Sequence, residues 1–266
     1  MLDNPRSPRV RAVAKLAKKQ RRQEARLFLV EGPQATREAL TFRPELVEDI
    51  FLTSASQERN PDLVELAEKA GCELTIASEA VIDHMADTVT PQGVVAVARY
   101  LEVSLDQVVS ANPTHLVVLH QVKDPGNVGN IIRTADAAGA DAVIVTAESV
   151  DVFNPKVVRA TTGSLFHIPV VTGVDLGSTI DALKASGVTI FAADAQGENL
   201  GQVRSQGGLD SPLAWLLGNE AHGLSAEDEL LADSTVSVPM FGQAESLSLQ
   251  TAAAICIYEA AFAKNS

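Results

Sequence analysis

From Leu116 onward the chain alternates short apolar runs with segments of helical period, and this alternation narrows the possible folds more than any other feature. Leu116-Val117-Val118-Leu119 is a continuous apolar run, as expected of a strand buried on both faces of a parallel sheet. The spacing predicts a helix over 127–139 with Gly139 as its stop, a strand over 142–145 and a helix over 155–162. A short strand over 168–171 and a helix over 178–186 come next. Strands over 188–192, 213–217 and 235–238 complete the series, and a closing helix runs over 247–262. This order predicts an α/β fold with a doubly wound parallel sheet, whose ligands lie beyond the strand C-termini at a switch point.

The first hundred residues alternate in the same way on a smaller scale. Strands are expected over 27–30, 50–52, 72–76 and 94–98, and helices over 34–40, 61–70 and 79–85. The sequence therefore divides into a small α/β domain over 1–105, a patternless linker over 106–114 containing Asn112-Pro113, and a second domain over 115–266.

Charge is distributed unevenly. Residues 1–26, read as a basic helix over 6–26, carry nine Lys and Arg against Asp3 and Glu24, a local charge of +7. The whole chain is −13, so the remainder carries −20. A basic arm on an acidic body suits a phosphate contact, or a solvated helix face. No apolar run approaches the ~20 residues of a membrane span, and the N-terminus has no secretory apolar core. Cys72 and Cys256 lack ligand spacing and read as reduced and structural, which favours the cytoplasm. His84, His115, His120 and His167 are scattered without metal-ligand spacing, so no metal is expected.

Three polar loops follow strands of the second domain. The first is Asp124-Pro125-Gly126-Asn127-Val128-Gly129-Asn130, opening a helix that carries Arg133 nearly two turns after Asn127. Amides at a helix N-terminus suit an anion. The glycine spacing is not that of a dinucleotide-binding turn. The second loop is Gly218-Asn219-Glu220-Ala221-His222-Gly223, where a glycine at a strand end permits close backbone approach. The third runs from Pro239 through Ser246, the expected N-cap, to Leu247-Ser248-Leu249-Gln250. Taken singly, Asn127 also reads as a plain helix cap, Arg133 as a surface cation and Glu220 as an exposed acid.

In this order the three blocks resemble the SpoU (TrmH-like) branch of the SPOUT RNA methyltransferases, and Leu27-Phe28-Leu29-Val30-Glu31-Gly32-Pro33 resembles the substrate-binding domain that often precedes them. The resemblance implies methyl transfer from S-adenosylmethionine to a ribose 2′-hydroxyl of RNA, ribosomal RNA in preference to transfer RNA. It also implies a knotted catalytic domain threaded at about 218–254, and a homodimer packed through the closing helix, where Ala252, Ala253, Ala254 and Ala260 form a small-residue face. By the family's pattern Asn127, Arg133, Glu220, Ser246 and Ser248 take catalytic positions, and Gly218, Val238, Met240 and Leu247 cofactor positions. A carboxylate at 220 would orient Arg133. A guanidinium stays protonated, so Arg133 suits charge stabilisation better than proton abstraction. Ser248 stands where many members have asparagine, and Gln250 where they have serine. These two departures are the support for the rival reading, an RNA-binding or ribosome-assembly protein without catalysis.

Overall fold

The computed structural model describes residues 1–101 and 103–265. The chain forms two compact units: Met1–Leu101 with Asp151–His167, and Glu102–Val150 with Ile168–Ser266. No helix among the described residues is long and apolar enough to cross a membrane.

The first unit is built on a four-stranded sheet of β1 (Leu27–Glu31), β2 (Val47–Leu52), β3 (Glu73–Ile76) and β4 (Val94–Arg99), in the order β1-β4-β2-β3. β4 runs antiparallel to both neighbours, and β3 is parallel to β2. The expected basic helix is broken into Pro8–Ala14, a 3₁₀ turn at Lys15–Ala17 and Lys19–Ala25, because Lys18 is extended. The break has a physical partner in Arg22, which is 1% exposed. Its Nη1 donates to the carbonyls of Leu16 and Ala17 at 2.9 and 2.8 Å, and its Nη2 meets Asp151 Oδ2 at 2.5 Å. Val10, Val13 and Leu16 are buried with Leu29, Phe51, Ile82 and Val97, so the arm is folded onto the sheet.

Asp151–His167, which lies within 115–266 by sequence, belongs by its contacts to this first unit. Phe153 stacks on Tyr100 with centroids 3.9 Å apart and lies 4.9 Å from Phe28. Arg159, on the helix Pro155–Thr161, pairs with the buried Glu31 at 2.8 Å and with Asp87 at 3.0 Å. By sequence Arg159 and Asn154 read equally as RNA contacts or as part of a solvated helix. The structure uses the Arg159 guanidinium in these two ion pairs, and Asn154 caps its own helix through the Lys156 amide.

The second unit holds six parallel strands: β5 (His115–Leu119), β6 (Ala142–Thr146), β7 (Val170–Val174), β8 (Thr189–Asn199), β9 (Leu213–Leu217) and β10 (Ser234–Ser237). Their order is β10-β8-β9-β5-β6-β7, so the direction of winding reverses between β5 and β9. All five residues of β5, of β6 and of β9 are buried, which explains their unbroken apolar sequence. Leu105–Ser110, in the expected linker, is a helix opened by a capping box between Ser104 and Gln107. β8 runs seven residues beyond the expected end at Ala192, mostly through polar residues. There Gly197 passes so close to Thr235 and Val236 that an added Cβ would sit 2.4 Å from the Val236 nitrogen.

Candidate active site

The switch point places the loops after β5 and β9 side by side, and hydrogen bonds join them. The His120 amide donates to the Leu217 carbonyl at 2.8 Å. Asn219 Nδ2 donates to the Gln121 carbonyl at 2.9 Å, with Gln121 itself left-handed at φ 55°. Glu220 then reaches across to the N-terminus of the helix Pro125–Ala137. Its carboxylate accepts from the Asp124 amide at 2.8 Å, the Lys123 amide at 3.1 Å and Asn127 Nδ2 at 3.2 Å. The helix is capped by Asp124, whose Oδ1 accepts from the Asn127 amide at 2.8 Å.

Burial disfavours the Glu220 carboxylate, but the amides of Asp124, Glu220 and Lys123 and the Asn127 carboxamide outweigh it and hold its pKa below the ordinary 4.5. A depressed folded-state pKa means that these bonds stabilise the fold fully above pH 4.5. The contribution is lost as the pH falls from there through the folded value. Acid titration of the wild type should therefore show a fall in thermal midpoint below pH 4.5 that is smaller in Glu220→Gln, where only the other depressed carboxylates, Glu45, Asp62 and Asp233 among them, still contribute. Equal acid sensitivity in both proteins would refute the assignment.

Asn127 and Glu220 are thus brought together, whereas Arg133 is not bound by Glu220. Arg133 is exposed and makes no hydrogen bond or ion pair among the described residues. Six steps of about 100° also set it about 120° around the helix from Asn127. The expected pairing of Glu220 with Arg133 is replaced by Glu220 with Asn127 and two backbone amides.

Gly218 follows directly on β9, and the close approach there is made by the chain itself. A Cβ at Gly218 would lie 2.5 Å from the Gly223 carbonyl carbon and 2.6 Å from the Leu224 nitrogen. Paired bonds of 3.0 Å between Asn219 and Gly223 close the turn. Any side chain at 218 would therefore open the loop that carries Glu220.

In the third loop Val238 and Leu247 are partly buried, while Met240 is 39% and Phe241 95% exposed. Ser246 is exposed and does not cap the closing helix Leu249–Lys264. The N-cap is Ser248, two residues later, its hydroxyl 2.7 Å from Thr251 Oγ1. The apolar period that begins at Leu247 hides this shift, because Leu247 precedes the helix instead of starting it.

Gln250 is the residue the sequence reading missed. Its Oε1 accepts from Asn130 Nδ2 at 2.7 Å, tying the closing helix to the helix that bears Asn127 and Arg133. Its signal was in view as a departure from the family's pattern. A longer amide at that position spans two helices that a serine would not bridge.

His120 lies in the same loop cluster, with Nδ1 3.1 Å from Thr146 Oγ1 and Nε2 3.4 Å from Asp228 Oδ2. Among the described residues no group of three or more His, Cys, Asp or Glu is placed to hold a metal ion.

Residues 114–258 match the model of the SpoU rRNA Methylase family, and 29–103 match that of RNA 2′-O ribose methyltransferase substrate binding. The chain is 35% identical over 257 residues to the 23S rRNA (guanosine(2553)-2′-O)-methyltransferase RlmP of Bacillus subtilis, covering 97% of each protein. It is 33% identical to the 23S rRNA (guanosine-2′-O-)-methyltransferase RlmB of Bordetella pertussis, over 87% of this chain and 95% of that one. Among solved structures, an AdoMet-bound rRNA methyltransferase from Sinorhizobium meliloti superposes with a TM-score of 0.84 at 30% identity, covering 97% and 96% of the two chains. The SpoU methyltransferase AviRb from Streptomyces viridochromogenes, in complex with AdoMet, gives 0.81 at 30% identity over 97% and 98%. The parallel sheet, its joined switch-point loops and these matches over nearly the whole length lead to one conclusion: the chain belongs to the SpoU rRNA methylase family.

Proposed function

We propose that the protein is a cytoplasmic S-adenosylmethionine-dependent methyltransferase that modifies a ribose 2′-hydroxyl of 23S ribosomal RNA. The observation that carries this reading is the bonding of Glu220 to Asn127 and to the Lys123 and Asp124 amides, which fixes the helix N-terminus beside the β9 loop. The first unit is assigned the holding of RNA, and residues 218–254 the threaded segment of the knotted members.

The residues present fit the cofactor. Val238, Met240 and Leu247 supply uncharged apolar surface for an adenine and an alkyl chain, and Gly218 leaves its backbone without a side chain at the β9 end of the same loop cluster. When bound, S-adenosylmethionine supplies the electrophilic methyl group. The chain would align the acceptor oxygen with the cofactor's sulfur–methyl bond, the bond that breaks as the carbon–oxygen bond forms, and would stabilise the charge growing on that oxygen while its proton passes to water. Arg133, unpaired and always protonated, is assigned that stabilising role. Asn127, held by Glu220, fixes the helix N-terminus beside the β9 loop, and Ser246 and Ser248 flank the acceptor. Ser248 also sits at the N-cap of the closing helix.

We further assign a homodimer through the closing helix. Ala253 and Ala260 are already buried within the unit, so the surface left for a twin is that of the partly exposed Ala252 and Ala254 and of Tyr258 and Phe262, exposed with ring centroids 5.7 Å apart. Calorimetric titration should give one S-adenosylmethionine per chain, and labelled methyl should appear in unmodified 23S rRNA in preference to tRNA. Absence of cofactor binding together with absence of label would overturn the reading in favour of an RNA-binding scaffold.

A further inference from the structure

The nine cations of residues 1–26 separate into two groups. Arg22 is buried in its clamp with Asp151, and Arg9 pairs with Asp49 at 2.7 Å and Glu73 at 3.0 Å. Arg21 is joined to Glu24 at 2.6 Å, and Arg26 lies over the Tyr100 ring at 4.6 Å. Arg6, Arg11, Lys15, Lys18 and Lys19 remain, all exposed, with no ion pair among the described residues. They are not on a loose tail, because Val10, Val13 and Leu16 are buried in the core beneath them. Between the two short helices runs a groove of about 550 Å³. It is lined by Pro8, Ala12, Leu16 and Ala25 with Arg11, Lys15 and Arg21, and by one acid, Glu24, whose charge Arg21 offsets.

From this juxtaposition we propose that the groove and the five unpaired cations form the docking surface for an RNA sugar–phosphate backbone. The inference rests on the functional reading above and names the surface through which the substrate is held. Charge complementarity selects the occupant. The chain outside residues 1–26 carries −20, which repels a polyanion, so attraction is concentrated in this +7 segment. Rigid presentation adds to it, since folded helices lose less freedom on binding than a disordered tail does. The cations committed to internal pairs are structural, and the unpaired five make the contacts.

The test is the salt dependence of binding between full-length protein and a 23S rRNA fragment. The triple variant Arg11→Gln/Lys15→Gln/Lys18→Gln removes three charges that no ion pair uses. It should lower the slope of log affinity against log salt by roughly 2 to 3, since each lost phosphate contact contributes about 0.7–0.9. Affinity at ~0.1 M salt should fall about tenfold or more. Lys69→Gln, which removes an equally exposed charge from the helix Pro61–Ala70, should leave both unchanged. The pair Lys18→Gln/Lys19→Gln, at the break between the helices, should lower the slope by roughly 1.5 to 2.

An unchanged slope in both variants overturns the proposal, as does an equal loss in Lys69→Gln. Binding to anionic lipid vesicles that is lost in the triple variant, with RNA binding unaltered, would reassign the surface to a membrane. The two readings fail separately. Methyl transfer by wild type with no slope change removes the docking surface alone. A slope change with no methyl transfer by wild type removes the enzyme alone.

Discussion

Arg133→Ala is expected to lower methyl transfer by about 10²–10³-fold while leaving S-adenosylmethionine affinity and thermal midpoint unchanged. The size follows from removing a fixed positive charge at the point where negative charge grows on the acceptor oxygen, a contact made only in the transition state. The selectivity follows from the structure, since Arg133 is exposed and makes no hydrogen bond or ion pair among the described residues, so its truncation orphans none of them. Arg133→Lys keeps the charge but not the planar fork, and should recover part of the loss. Single-turnover rates with saturating RNA and cofactor check this. A rate equal to wild type, or a loss that follows a lowered melting temperature, would place Arg133 outside the chemistry.

Arg22→Met should have the largest effect on stability, about 3–5 kcal/mol. The Arg22 and Asp151 side chains are only 2% and 12% exposed, so removing the cation leaves a nearly buried carboxylate unpaired. It also strips the Leu16 and Ala17 carbonyls of their donor at the helix break. Asp151→Asn keeps the cap on the Phe153 amide, 3.0 Å from Asp151 Oδ1, and removes the charge. The double variant Arg22→Met/Asp151→Asn should therefore be more stable than Arg22→Met alone. Urea unfolding of the two single variants and the double measures the coupling. Additive losses would show that the pair is not coupled.

The parallel sheet was legible because β5, β6 and β9 are buried on both faces and so are written in unbroken apolar runs. The extension of β8 through Gln196-Gly197-Glu198 was not, since polar residues form that part of the strand and β10 shifts register beside it. The broken N-terminal helix was hidden for a similar reason. A basic sequence of helical period gives no sign that Arg22 turns inward to Asp151, 129 residues away. Within the site, residue types and order marked Asn127, Glu220 and Gly218. Which of them touch was settled by strand order, since only the adjacency of β5 and β9 sets the Glu220 carboxylate on the Asp124 amide. The Ser248 cap and the Asn130–Gln250 bond depend on how two helices meet, which one-dimensional spacing does not encode.

The central claim is ribose chemistry by this chain, and one measurement reaches it most directly. Unmodified 23S rRNA is incubated with the protein and methyl-labelled S-adenosylmethionine, then hydrolysed with alkali. A 2′-O-methyl group blocks cleavage at its own nucleotide, so the account predicts label in an alkali-resistant dinucleotide, absent with Arg133→Ala. Label recovered in ordinary mononucleotides would mean methylation of a base and would contradict the account.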